Sequence, residues 1–131
     1  GTMRQRWMIV AAVLVSAGTE AAARMPAMPV LGAEEAGARY GQARGATLVC
    51  RGLVAGPKLE KLRANYAGAD RAAFDRRAEE IVKAWRKMVT CEEAPEINMC
   101  RLLKERNCHD AEVQIGPQGT AVPGLVERKG E

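Results

Sequence analysis

Residues 70–91, DRAAFDRRAEEIVKAWRKMVTC, decide how this chain folds. Phe74, Ala78, Ile81, Val82, Trp85, Met88 and Val89 recur at helical spacing and fall within an arc of about 120° on a helical wheel. The opposite side carries Arg71, Asp75, Arg76, Glu79, Glu80, Lys83, Arg86 and Lys87. The pattern predicts one long amphipathic helix, with Asp70 as its N-cap and Lys83, Arg86 and Lys87 complementing the negative end of its dipole. Cys91 follows directly and suits a covalent anchor. The stretch holds the only Phe and one of the two Trp in the chain, so a core must form against this face.

Working outward toward the N-terminus, Gly56-Pro57 punctuates the chain, and Leu59, Leu62 and Tyr66 form a second apolar stripe that Gly68 ends. Before it, Ala46 to Ala55 is apolar but too short for periodicity to separate helix from strand; its helical neighbours favour helix. Residues 24–45 are rich in Pro, Ala and Gly. Gly37, Gly41 and Gly45 would share one face of a helix, a spacing that in a membrane span suggests close packing, but Glu34, Glu35, Arg39 and Arg44 interrupt it. Each glycine also costs a helix about 1 kcal/mol relative to alanine. A flexible segment is therefore expected over 24–45.

The first 23 residues read as a cloning remnant, Gly1-Thr2, followed by a secretory signal peptide. Arg4 and Arg6 precede an apolar run from Trp7 to Ala17, and Ala21-Ala22-Ala23 offers small residues for cleavage after Ala23. As a helix that run covers about 16 Å, against a hydrocarbon core of roughly 30 Å, so no stable membrane anchor is expected. Removing residues 1–23 takes away Arg4, Arg6 and Glu20 and lowers the formal charge from +4 to +3. The basic residues are mixed with acids and lack interleaved aromatics, which argues against nucleic acid as a partner.

Downstream of Cys91, Glu92 to Pro95 forms a connector, and Pro95 to Arg106 a third helix stopped by Asn107. Glu112 to Ile115 alternates, Gly116-Pro117-Gln118-Gly119 has strong turn chemistry, and Thr120 to Val122 is placed to pair back as a short hairpin. The expected fold is all-α: a disulfide-stapled domain of three to four helices over residues 46–115, with that hairpin at its end. Residues 116–131 are expected to form a turn and a flexible tail.

All four cysteines, Cys50, Cys91, Cys100 and Cys108, follow the signal segment, and an even count in a short exported chain predicts two disulfides. Helix geometry weighs against Cys100 with Cys108, which would be about 12 Å apart along the axis. Cys91 and Cys100 flank a tight connector, so the preferred pairing is Cys91 with Cys100 and Cys50 with Cys108. Cys50 with Cys100 and Cys91 with Cys108 is the remaining alternative.

The chemistry such residues could carry is narrow. Cys91, Cys100, Cys108 and His109 form a Cys3His set, but without the tight pairs of a zinc knuckle. A haem-attachment motif ending at Cys108-His109 would need cysteine where Glu105 stands. Met25, Met28 and His109 are weak candidates for copper through soft ligands. The single histidine leaves little for a hydrolytic triad, and Glu34-Glu35, Glu79-Glu80 and Glu92-Glu93 suit solvated surfaces better than paired catalytic acids. No enzyme activity and no cofactor is expected.

The run Leu62-Arg63-Ala64-Asn65-Tyr66, the helix end Trp85-Arg86-Lys87-Met88-Val89-Thr90-Cys91, and Cys100-Arg101-Leu102-Leu103 together resemble the LprI-type lysozyme-inhibitor family. That resemblance implies an exported helical protein and an inhibitor's activity; the nine-residue step from Cys91 to Cys100 is shorter than the family pattern, and no functional residue is carried over. The functional expectation is a small periplasmic or secreted protein that binds another protein, as an inhibitor, immunity or chaperone-like factor. Lys83, Arg86 and Lys87 are its candidate contacts, while Glu79 to Lys83 and Arg76 to Glu80 are spaced to pair along the helix. The alternative is an exported metal- or redox-handling protein using Cys108, His109 and the methionines.

Overall fold

Gly37, Gly41 and Gly45 do share a helix face, and that face is what the longest helix packs on. In the computed structural model, which describes residues 31–91 and 96–130, α1 spans Ala33–Val49, β1 Leu53–Ala55, α2 Leu59–Ala64, α3 Gly68–Thr90, α4 Ile97–Ile115 and β2 Val126–Arg128. The signal segment, the Met25-Pro26-Ala27-Met28-Pro29 run and the 92–95 connector lie outside the described residues. The architecture is mostly helical, with a two-stranded sheet and two disulfides. No helix among the described residues is long and apolar enough to cross a membrane.

The flexible segment expected over 24–45 is corrected from residue 33 onward by α1. A Cβ at Gly37 would lie 2.9 Å from the Phe74 Cα, one at Gly41 2.8 Å from the Ile81 Cβ, and one at Gly45 2.6 Å from the Trp85 Cβ. The contacts ascend along both chains, so α1 and α3 run parallel with their backbones nearly touching. The glycine cost is offset by this approach, and the charges that argued against it are turned elsewhere: Glu34, Glu35 and Arg44 are exposed.

α3 forms as its periodicity predicts, burying Phe74, Ala78, Val82, Trp85 and Met88. Its start differs. The N-cap is Ala67, and Asp70 sits in the first turn, where its charge still complements the dipole. Gly68, at φ +58°, makes the sharp entry from α2. Cys91 ends the helix in the left-handed conformation, its N–H closing onto the Lys87 carbonyl. Phe74 is the centre of the aromatic core, with the Tyr40 and Tyr66 rings at centroid distances of 5.1 and 5.2 Å.

α4 runs past the expected stop at Asn107 to Ile115. The Asn107 amide donates back to the Leu103 carbonyl at 2.9 Å, and the backbone stays helical through it. Residues 112–115 are therefore helical, and the expected hairpin over 112–122 is replaced by a fold-back: Thr120 and Ala121 N–H groups bond the Val113 and Gln114 carbonyls at 3.0 and 2.9 Å. These bonds satisfy carbonyls that the helix end leaves open.

Ala46 to Ala55, for which helix was favoured, divides between the two choices. Residues to Val49 finish α1, and Leu53–Ala55 is a strand paired antiparallel with Val126–Arg128. The flexible tail is corrected with it, because Leu125 and Val126 are fully buried in the core.

Candidate functional site

Two disulfides fix α4 to the rest of the fold. Cys50 at the end of α1 pairs with Cys108, and Cys91 at the end of α3 pairs with Cys100, each with Cα atoms 5.6 Å apart. This is the pairing that helix geometry and the tight connector favour. Near the other end of α4, Gln114 Oε1 accepts from Arg39 at 2.8 Å and Gln42 at 2.9 Å on α1, so α1 and α4 run antiparallel.

The disulfides also determine what collects at one end of the bundle. Leu48 lies one turn beyond Gly45, and Val89 one turn beyond Trp85, so both sit at the same end of the α1–α3 pair; each is 56 % exposed. The Cys91–Cys100 link brings the start of α4 to that end, with Ile97 at 81 %, Met99 at 54 % and Leu102 at 51 %. Of six large apolar side chains exposed among the described residues, only Val113 lies elsewhere. Sequence reading placed Val89 in the buried stripe. It is exposed because nothing among the described residues covers that turn of α3.

Beside this end, an open groove of about 400 Å³ runs over the Cys50–Cys108 disulfide. Its floor is Val49, Leu53 and the cystine, and its walls are Arg51, Lys104, Glu105, His109, Glu112 and Arg128. Lys104, Glu105, Cys108, His109 and Glu112 share one face only because α4 continues as a helix. Both carboxylates already have partners: Arg128 bridges Glu112 at 2.6 Å, and Arg101 bridges Glu105 at 3.1 Å. Among the described residues, Arg51 and Lys104 have no ion pair, and His109 has no hydrogen-bond partner.

The candidate contacts on α3 are not part of this groove. Lys83, Arg86 and Lys87 lie on the exposed face of the helix, away from the core. The expected i,i+4 pairs are replaced there, since Glu79 meets Arg44 across the helix interface at 3.4 Å and Glu80 meets Arg77 at 3.2 Å. The metal candidates do not converge either. Cys91, Cys100 and Cys108 are cystine sulfurs instead of thiolates, and among the described residues no group of three or more His, Cys, Asp or Glu side chains is placed to hold a metal ion. Met25 and Met28 lie outside the described residues.

Arg51 and Arg128 were missed by sequence reading, since each reaches the groove through the pairing of three-residue strands that carry almost no local signal. The face of α4 was legible in principle: Cys100, Leu103, Asn107, Cys108, Ala111 and Ile115 continue one helical stripe.

The fold is that of a disulfide-stapled helical protein with an exposed apolar end. No protein-family model, curated protein or solved structure matches the chain.

Proposed function

We propose that this protein is an exported helical binding protein that docks another protein through the end of the bundle where Leu48, Val89, Ile97, Met99 and Leu102 gather. The concentration of exposed apolar side chains at a doubly cross-linked end is the observation that carries this reading. Exposed apolar patches mark association sites, and a surface held by disulfides loses little conformational freedom on docking. Two disulfides also suit an oxidising compartment such as the periplasm, in keeping with the signal-like N-terminus. Binding, instead of catalysis, also fits the setting of the one histidine, exposed and, among the described residues, without a hydrogen-bonded partner to orient it. An inhibitor's role, as in the LprI-type resemblance, is one form such binding takes.

Site-specific photo-crosslinking in cells expressing the full chain tests the reading. A crosslinker at Ile97 or Leu102 is expected to give a discrete adduct, whereas one at exposed Lys61 on α2 is not. Absence of adducts at Ile97 and Leu102 both, with the protein folded and oxidised, would overturn it.

A further inference from the structure

The groove over Cys50–Cys108 has a polarity of its own, separate from the apolar end it adjoins. Its two carboxylates are neutralised within the fold, Glu112 by Arg128 and Glu105 by Arg101. Arg51 and Lys104 are left without an ion pair among the described residues, across a floor of Val49, Leu53 and the cystine. A second hollow shares Val49, Cys50, Arg51 and Leu53 with the first and adds Leu48 and Lys129, which extends the basic character toward the apolar end by one cation. We propose that this groove seats an acidic segment of a protein partner, with side-chain carboxylates on Arg51 and Lys104 and intervening apolar side chains on the cystine floor.

The inference rests on the binding reading above and names the chemistry of the partner. A carboxylate fits for three reasons. Arg51 presents a planar fork matched to it, and Lys104, on α4, a compact charge. A peptide lying along the apolar floor excludes water beside both cations, which strengthens their attraction to its carboxylates. The alternation of cation and apolar surface suits a peptide with mixed side chains. A nucleic acid fits poorly, because no aromatic ring lines the groove for base stacking.

The test uses the full oxidised chain and two fluorescein-labelled peptides, one alternating Leu and Glu and the other alternating Leu and Gln, read by fluorescence anisotropy. The Glu peptide is expected to bind more tightly than the Gln peptide, with an affinity that falls as salt rises. Arg51→Glu with Lys104→Glu is expected to weaken the Glu peptide at least about tenfold, and Arg51→Gln with Lys104→Gln to weaken it less. Lys83→Glu with Arg86→Glu on α3 changes net charge equally and is expected to leave binding within about twofold. All variants are checked for an unchanged melting temperature, and both pairs of sites are exposed or half-exposed. No measurable binding, equal affinity for the two peptides, or an equal loss from the α3 variant overturns the proposal. Displacement of the Glu peptide by inorganic polyphosphate at equal charge concentration also overturns it, showing an anion patch without peptide character. The two readings fail separately: adducts at Ile97 and Leu102 with no peptide binding keep the docking end and remove the groove, and peptide binding without adducts does the reverse.

Discussion

Gly45 lies directly against the Trp85 indole, close enough that a Cβ there would stand 2.6 Å from the Trp85 Cβ and nearer still to its ring. Two parallel helices are thereby locked in register, since Gly37 and Gly41 make the equivalent approaches to Phe74 and Ala78. Gly45→Ala therefore has opposing effects. Alanine gains about 1 kcal/mol of helix propensity, while overpacking a contact made by a buried indole costs about 1–3 kcal/mol. Net destabilisation is expected in urea unfolding. A stabilised variant would show that α1 and α3 are farther apart than this contact requires.

Trp85 is 6 % exposed, and Phe74 is fully buried between two tyrosine rings. Truncating either to alanine is expected to cost about 3–5 kcal/mol. Ile97→Glu and Leu102→Glu, at exposed positions, are expected to stay within about 0.5 kcal/mol of the parent. Chemical denaturation of the four variants separates core from docking surface. An unchanged midpoint for Trp85→Ala together with lost partner adducts would make the stripe itself the interface.

The disulfides differ in the loops they close, with sequence separations of 58 for Cys50–Cys108 and 9 for Cys91–Cys100. Loop entropy alone assigns the longer one about 4 kcal/mol and the shorter one about 2.5 kcal/mol. Cys50→Ala with Cys108→Ala is therefore expected to lower the melting temperature more than Cys91→Ala with Cys100→Ala. The order is read by calorimetry, and the reverse order would mean that the start of α4, not loop length, controls stability.

Two titrations set the pH limits. Arg63 donates hydrogen bonds of 2.9 Å to each oxygen of Asp75 and holds its carboxyl below the ordinary value. The unfolded chain then binds the proton more readily, so the contribution is present above the ordinary carboxylate value near 3.9 and is lost as pH falls through the folded one. The pair is partly solvent-exposed, so the effect is small, and Asp75→Asn is expected to flatten the acid limb of stability.

At alkaline pH the sign reverses. Burial, then the hydrogen bond to Glu60, pushes the Tyr40 phenol up; burial, then Asp70 and Glu35, pushes Tyr66 up. Their contribution is complete below the ordinary value near 10 and is lost as pH rises through the raised values. These are the only two tyrosines, so ultraviolet phenolate absorbance reads them directly. A midpoint at the ordinary value would contradict their packing.

Elements with an amphipathic pattern of their own were legible without coordinates. The stripe from Phe74 to Met88 specifies α3 because its spacing alone defines a buried face, and the tight connector makes Cys91 and Cys100 natural partners. α1 has no such pattern, being mostly small residues on its buried side. It is a helix because α3 lies close enough to repay its glycines, a contact invisible to any local window. β1 and β2 are three residues each and pair across more than seventy positions of sequence. The groove follows from both long-range events, since the strand pairing places Arg51 and Arg128 against the side chains that α4 presents. Periodicity reports which side of an element seeks burial, whereas the partner of that side is chosen by close packing among segments distant in the chain.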